Sequence, residues 1–181
     1  IKERGLEDKI KFQFGWATKL TELFGENRFT KVTALECAFH FDTREEFFKE
    51  AFKVLKPGGK LVTADIIHFP EGEVEPPSWF WDFIQSGLWQ IPKCNHHGTQ
   101  VYKEKLEKAG FVNVKCYSIV DHVYEPLWWY CYEKLKSPEI SKKFHWCHRQ
   151  WLTRYLFATF FATGWPHVKH DYCIAVAEKP K

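Results

Sequence analysis

The sequence predicts an α/β fold on a partly parallel sheet. Three observations carry this. The runs Lys31–Phe41 and Lys60–Ile67 are almost continuously apolar, as strands covered on both faces are. Between them lies an amphipathic segment, Asp42–Leu55, and strand-helix-strand alternation of this kind builds parallel neighbours. The last two apolar runs are separated by a longer helical insert, which predicts an antiparallel edge.

Each element has its own signal. Lys11–Gly15 alternates and reads as a strand end. Thr18–Gly25 puts Leu20, Leu23 and Phe24 on one helical face and stops at Gly25. Asp42 with Glu45 three residues on predicts a capped helix start. Phe47, Ala51 and Leu55, flanked by Phe48 and Phe52, form its apolar stripe. Pro57-Gly58-Gly59 then turns the chain into the Lys60–Ile67 strand. Phe69–Pro77 is a polar, proline-rich loop, Ser78–Trp89 an aromatic helix and Ile91–Gly98 a second loop. Thr99 caps a helix that runs to Ala109 and ends at Gly110. Phe111–Val123 reads as a strand, Glu125–Phe161 as one or two helices broken near Ser137-Pro138, and His170–Ala177 as the final strand. Phe144, His148, Trp151 and Tyr155 recur at helical spacing and read as a core stripe.

Composition narrows the classes. The 181 residues suit one domain, and 45% hydrophobic with 27% charged residues excludes a disordered chain. A net charge of +3 gives no electrostatic case for a nucleic-acid partner. No apolar run reaches the ~18–20 residues needed to span a bilayer. The six cysteines include no C-x-x-C and follow no secretory signal, so they read as reduced thiols of a cytoplasmic protein. Methionine is absent and the chain starts at Ile1, within what reads as an element, so we expect residues to be missing at the N-terminus.

Two stretches carry a resemblance. Val32-Thr33-Ala34-Leu35-Glu36-Cys37-Ala38-Phe39-His40-Phe41, followed by Val54-Leu55-Lys56-Pro57-Gly58-Gly59-Lys60-Leu61, resembles the small-molecule branch of the class I S-adenosylmethionine-dependent methyltransferases. Ala109-Gly110-Phe111 with Val114, and the closing Ala177-Glu178-Lys179-Pro180, fit the same family. The resemblance implies a Rossmann-like sheet that is partial here, lacking the first two strands and carrying a helical insert before the last. It also implies one partial domain over residues 1–181. Residues 1–68 are then the later half of the cofactor-binding core and 69–110 a lid and substrate segment. Residues 111–181 are the late strands with the insert 125–164. The family's G-x-G-x-G loop is not in this sequence; Gly5, Gly15 and Gly25 lie ten apart. Trp16 stands where relatives often carry an acid toward the adenine, and Lys31 where Asp is common. S-adenosylmethionine binding by this chain is therefore expected to be weak or absent.

The resemblance also implies site residues. Trp16, Ala17, Leu35 and Glu36 would face the cofactor. His40, beyond the strand end, would be the general base, paired with Glu36, an acid in an apolar run that needs a partner. Asp65, Trp81 and Trp89 would bind a small-molecule substrate, the tryptophans by apolar or cation–π contact; the alternative for Asp65 is a local turn hydrogen bond. A second reading is a non-catalytic, truncated relative that pairs with a partner chain through the exposed sheet edge. A third is a zinc protein using Cys94, His96, His97, His145, Cys147 and His148, whose spacings match no common ligand set.

Overall fold

The structure, a computed structural model, describes residues 4–67, 86–87, 89–143, 146–164 and 170–181. It contains the expected mixed sheet. Strands β1 (Phe29–Leu35), β2 (Leu55–Ile67), β3 (Val112–Ser118) and β4 (Asp171–Glu178) lie in the order β1-β2-β4-β3. β1 and β2 are parallel, with Val32 opposite Leu61. β4 runs antiparallel between β2 and β3, with Val62 opposite Val176 and Cys116 opposite Ala175. The helices are α1 (Leu20–Phe24), α2 (Arg44–Val54), α3 (Thr99–Lys108), α4 (Val120–Lys136), α5 (Pro138–Lys143) and α6 (Trp146–Gly164). Short 3₁₀ turns occupy Ala17–Lys19, Ala38–His40 and Lys93–Asn95. Among the described residues no helix is long and apolar enough to cross a membrane.

Burial alternates along the inner strands, as the two-residue period of a strand requires. Leu61, Thr63, Asp65 and Ile67 of β2 are buried, as are Cys173, Ala175 and Ala177 of β4. This face packs on α2 and α3 through Phe47, Phe48, Ala51, Leu55, Tyr102, Leu106 and Phe111. Phe48 meets the Tyr102 ring edge-on at 5.1 Å, and Phe52 meets Phe111 at 5.2 Å. The opposite face, with Val62, Ile174 and Val176, is only half-buried.

Several element boundaries shift from expectation, each for a local reason. Lys11–Gly15 forms no strand, and Phe12 and Phe14 are 85% and 95% exposed. β1 stops at Leu35 because Glu36 takes φ 54°, which turns the chain into the Ala38–His40 turn. α2 starts at Arg44 rather than Asp42, because the Thr43 hydroxyl accepts from the Glu46 N–H at 3.1 Å. It also ends three residues before Pro57, and β2 begins directly at Leu55. Gly98, not Thr99, precedes α3, since the Thr99 hydroxyl is drawn to Asp171 at 3.4 Å. β3 ends at Ser118, where Ile119 N–H donates to the Tyr172 carbonyl at 2.7 Å and α4 begins. The break at Ser137-Pro138 falls where the proline predicts it. The core stripe expected on the insert does not form over its first turns. His148 is exposed and Trp151 is 64% exposed, whereas Leu156 is buried; Phe144 and the Tyr155 side chain lie outside the described residues. The Phe69–Pro77 loop and most of Ser78–Trp89 lie outside the described residues.

The packing yields a stability expectation. Phe48 is fully buried against Tyr102. Phe48→Ala should cost about 3–5 kcal/mol, read as a lower urea midpoint with an unchanged slope.

Candidate active site

Because β1 and β2 are parallel, their carboxyl ends share one rim. β4 enters at the same rim, since Asp171 pairs with Ile67. Leu35, Glu36 and His40 after β1, and His170, Asp171 and Tyr172 at the head of β4, therefore gather there.

His40 ends the Ala38–His40 turn and is exposed. Its Nδ1 lies 3.2 Å from the Gln90 carbonyl oxygen. A carbonyl can only accept, so this contact needs the proton on Nδ1. In the neutral ring Nε2 then keeps its lone pair, as a general base requires. Gln90 holds φ 54° beside Trp89, so the half-buried indole and His40 are brought together by one short segment. Trp89 packs edge-on to the buried His170 ring at 4.7 Å.

Glu36 is exposed, and its Oε1 accepts from the hydroxyl of the buried Tyr172. Tyr172 is braced in turn by Tyr124, edge-on at 6.2 Å. Glu36 and His40 thus sit on one connection but answer to different partners, Glu36 to the head of β4 and His40 to the Gln90 segment. Asp171 accepts from Ser118 and Thr99, which ties β3 and α3 to the same rim.

Asp65 differs from expectation. Its side chain is fully buried. Oδ2 pairs with Arg44 Nε at 3.0 Å, Oδ1 accepts from the Phe39 N–H at 2.9 Å, and the Tyr102 hydroxyl donates to Oδ2 at 3.3 Å. Asp65 lies on the face of β2 that packs against α2 and α3, and this buries it. Burial holds its carboxyl above the ordinary value, while Arg44, the Phe39 amide and Tyr102 oppose that rise. Burial, with Asp65 beside it, raises the Tyr102 hydroxyl well above its ordinary value and keeps it a neutral donor.

The remaining expected residues differ in burial. Trp16 and Leu35 are 74% and 72% exposed, Ala17 is half-buried against the core, and Trp81 and His68 lie outside the described residues. Among the described residues no three His, Cys, Asp or Glu side chains gather as a metal site. Cys94, one of the expected ligands, donates instead to Asp42 Oδ1 at 3.8 Å. Sequence reasoning missed Tyr172, Gln90, Arg44 and Asn95. Only Arg44 had a signal: an acid within the apolar β2 run demands a cation.

Residues 1–63 match the family described as methyltransferase domain. Over 140 residues the chain is 39% identical to erythromycin 3''-O-methyltransferase of Saccharopolyspora erythraea, covering 76% of this chain and 45% of that protein. It is 27% identical over 110 residues to phosphoethanolamine N-methyltransferase 1 of Arabidopsis thaliana, covering 61% of this chain and 20% of that one. The chain thus spans less than half the length of these curated relatives. Its fold superposes on Haemonchus contortus phosphoethanolamine N-methyltransferase 2 in complex with S-adenosyl-L-methionine. That match has a TM-score of 0.72 and 17% identity, over 87% of this chain and 35% of the other. The chain is thus similar in sequence to methyltransferases and in fold to one solved with S-adenosyl-L-methionine.

The buried pair yields its own test. Arg44→Met leaves Asp65 buried without its cation and should destabilise the fold by about 3–5 kcal/mol. Adding Asp65→Leu should recover much of that loss. Denaturation midpoints of the two variants check this, and hydrogen exchange at the Phe39 amide should speed up in both.

Proposed function

We propose that this chain carries the substrate side of a methyl-transfer site, with His40 as the general base and a small molecule as acceptor. The observation that supports this most is the His40–Gln90 contact, which leaves Nε2 able to take a proton at the sheet's carboxyl-end rim. S-adenosylmethionine, when bound, supplies an electrophilic methyl group on a sulfonium. Exposed Leu35, at the rim, offers apolar surface suited to one wall of its site. His40 would accept the acceptor's proton as the new bond to the methyl carbon forms. Glu36, held by Tyr172, would orient the acceptor's polar groups, and Trp89 would shield the site from water.

Among oxygen, nitrogen and carbon nucleophiles, a hydroxyl fits best. It is the acceptor that most needs a base, and the 39% identical relative is named an O-methyltransferase.

Two measurements test this reading. Calorimetric titration of the 181-residue chain with S-adenosylmethionine should show no binding tighter than roughly millimolar, about 4 kcal/mol, because the sequence holds no G-x-G-x-G loop. Micromolar binding would overturn the need for that loop. In a form of the protein that carries a glycine loop, His40→Ala should lower kcat by ~10²–10⁴ with little change in cofactor affinity. Unchanged kcat would remove His40 from the chemistry.

A further inference from the structure

We propose that Asn95 is a positioning residue that holds the His40 turn in its base-competent geometry. This rests on the reading of His40 as the base. Asn95 is 2% exposed and sits at the end of the Lys93–Asn95 turn. Its side-chain amide donates to the Phe39 carbonyl at 3.1 Å and the Phe41 carbonyl at 2.7 Å. These are the two carbonyls on either side of His40. Its side-chain oxygen accepts from the Arg44 N–H at 3.1 Å, which fixes the amide's orientation. Three of the four hydrogen bonds an asparagine side chain can make are thus spent on the chain from Phe39 to Arg44.

The same loop supplies the carbonyl that fixes the His40 tautomer. Gln90 O takes Nδ1, while Asn95, five residues on, grips the backbone beneath the ring. The loop between them is held by His96 Nε2 on the Ile91 carbonyl at 3.1 Å and by Lys105 Nζ on the Cys94 carbonyl at 3.3 Å. Asp65 secures the turn from the other side through the Phe39 N–H. The segment 90–95 therefore grips ring and backbone of one residue together. Without the Asn95 amide, the buried Phe39 carbonyl and the half-buried Phe41 carbonyl lose this donor, and the turn can relax away from Gln90. The ring then loses its reason to keep the proton on Nδ1.

The test is a tautomer measurement, which needs neither cofactor nor substrate. The chain is labelled with ¹⁵N-histidine and its imidazoles are read by long-range ¹H–¹⁵N correlation at mildly alkaline pH. His40→Gln assigns the His40 signals. In the wild-type chain His40 should be mainly the Nδ1–H tautomer. Asn95→Asp keeps the shape and the oxygen facing Arg44 but removes the donor. It should lower the His40 Nδ1–H to Nε2–H ratio roughly threefold to tenfold, with His97 and His122 unmoved. An unchanged His40 ratio in a folded variant overturns the proposal, and so does a uniform change across all histidines. Should Asn95→Asp fail to fold, the wild-type chain still decides. The two Asn95 side-chain amide protons should exchange slowly, and exchange at the free-amide rate overturns the proposal. Loss of the tautomer bias together with unchanged His40→Ala kinetics would sink the base reading alone. An unbiased tautomer with a large kinetic defect would sink the positioning role alone.

Discussion

The rim of this protein hangs from one buried ion pair. Arg44 opens α2 and Asp65 lies two residues from the end of β2, and neither side chain reaches solvent. Separated in a low-dielectric interior, each would be strongly unfavourable, so the helix start and the strand end are obliged to stay together. The groups left over on each partner are then used locally. Arg44 donates to the Ile66 carbonyl at 3.1 Å, and Asp65 takes the Phe39 amide. Tyr102 joins the pair to Thr63 through a 2.7 Å hydroxyl contact and lays its ring under the guanidinium at 5.2 Å. α2, α3, β2 and the His40 turn are thereby held to a single buried polar cluster.

That cluster explains why some of the fold was legible in the sequence and some was not. The parallel β1–β2 pair and the helix between them follow from hydrophobic period alone, because Phe47, Phe48 and Ala51 face the same strands that Leu61 and Ile67 present. The antiparallel last strands were equally visible. Boundaries were lost where a single side chain chose between neighbours. Thr43 rather than Asp42 closes α2, and Thr99 turns to Asp171 instead of capping α3. The second choice depends on what stands across the rim, which no local window contains.

Site residues divide in the same way. His40 was visible because its place after an apolar strand is a sequence property. Asp65 was read as a substrate contact near the strand end, since the sequence does not say which face of β2 is covered. Tyr172 and Asn95 gave no signal at all. One is an ordinary aromatic in a strand and the other an ordinary loop amide, and their importance arises only when β4 and the 89–98 segment arrive beside the β1 turn. Trp151 of the insert shows the converse: spacing suited to a core, yet a 64% exposed ring.

The position of β4 has a consequence for synthesis. It follows β1, β2 and β3 in the chain, yet it sits between β2 and β3, and β3 has no other neighbour there among the described residues. β1, β2 and α2 can assemble early from contacts near in sequence. β3 must wait with both edges bare until residues 171–178 insert between it and β2, a pairing that spans more than a hundred residues at Lys60 and Glu178. Loops this long close slowly, and unpaired edges are the surfaces on which nascent chains aggregate. The two halves of the described sheet are thus joined only once β4 is made, and the same strand delivers Tyr172 to Glu36.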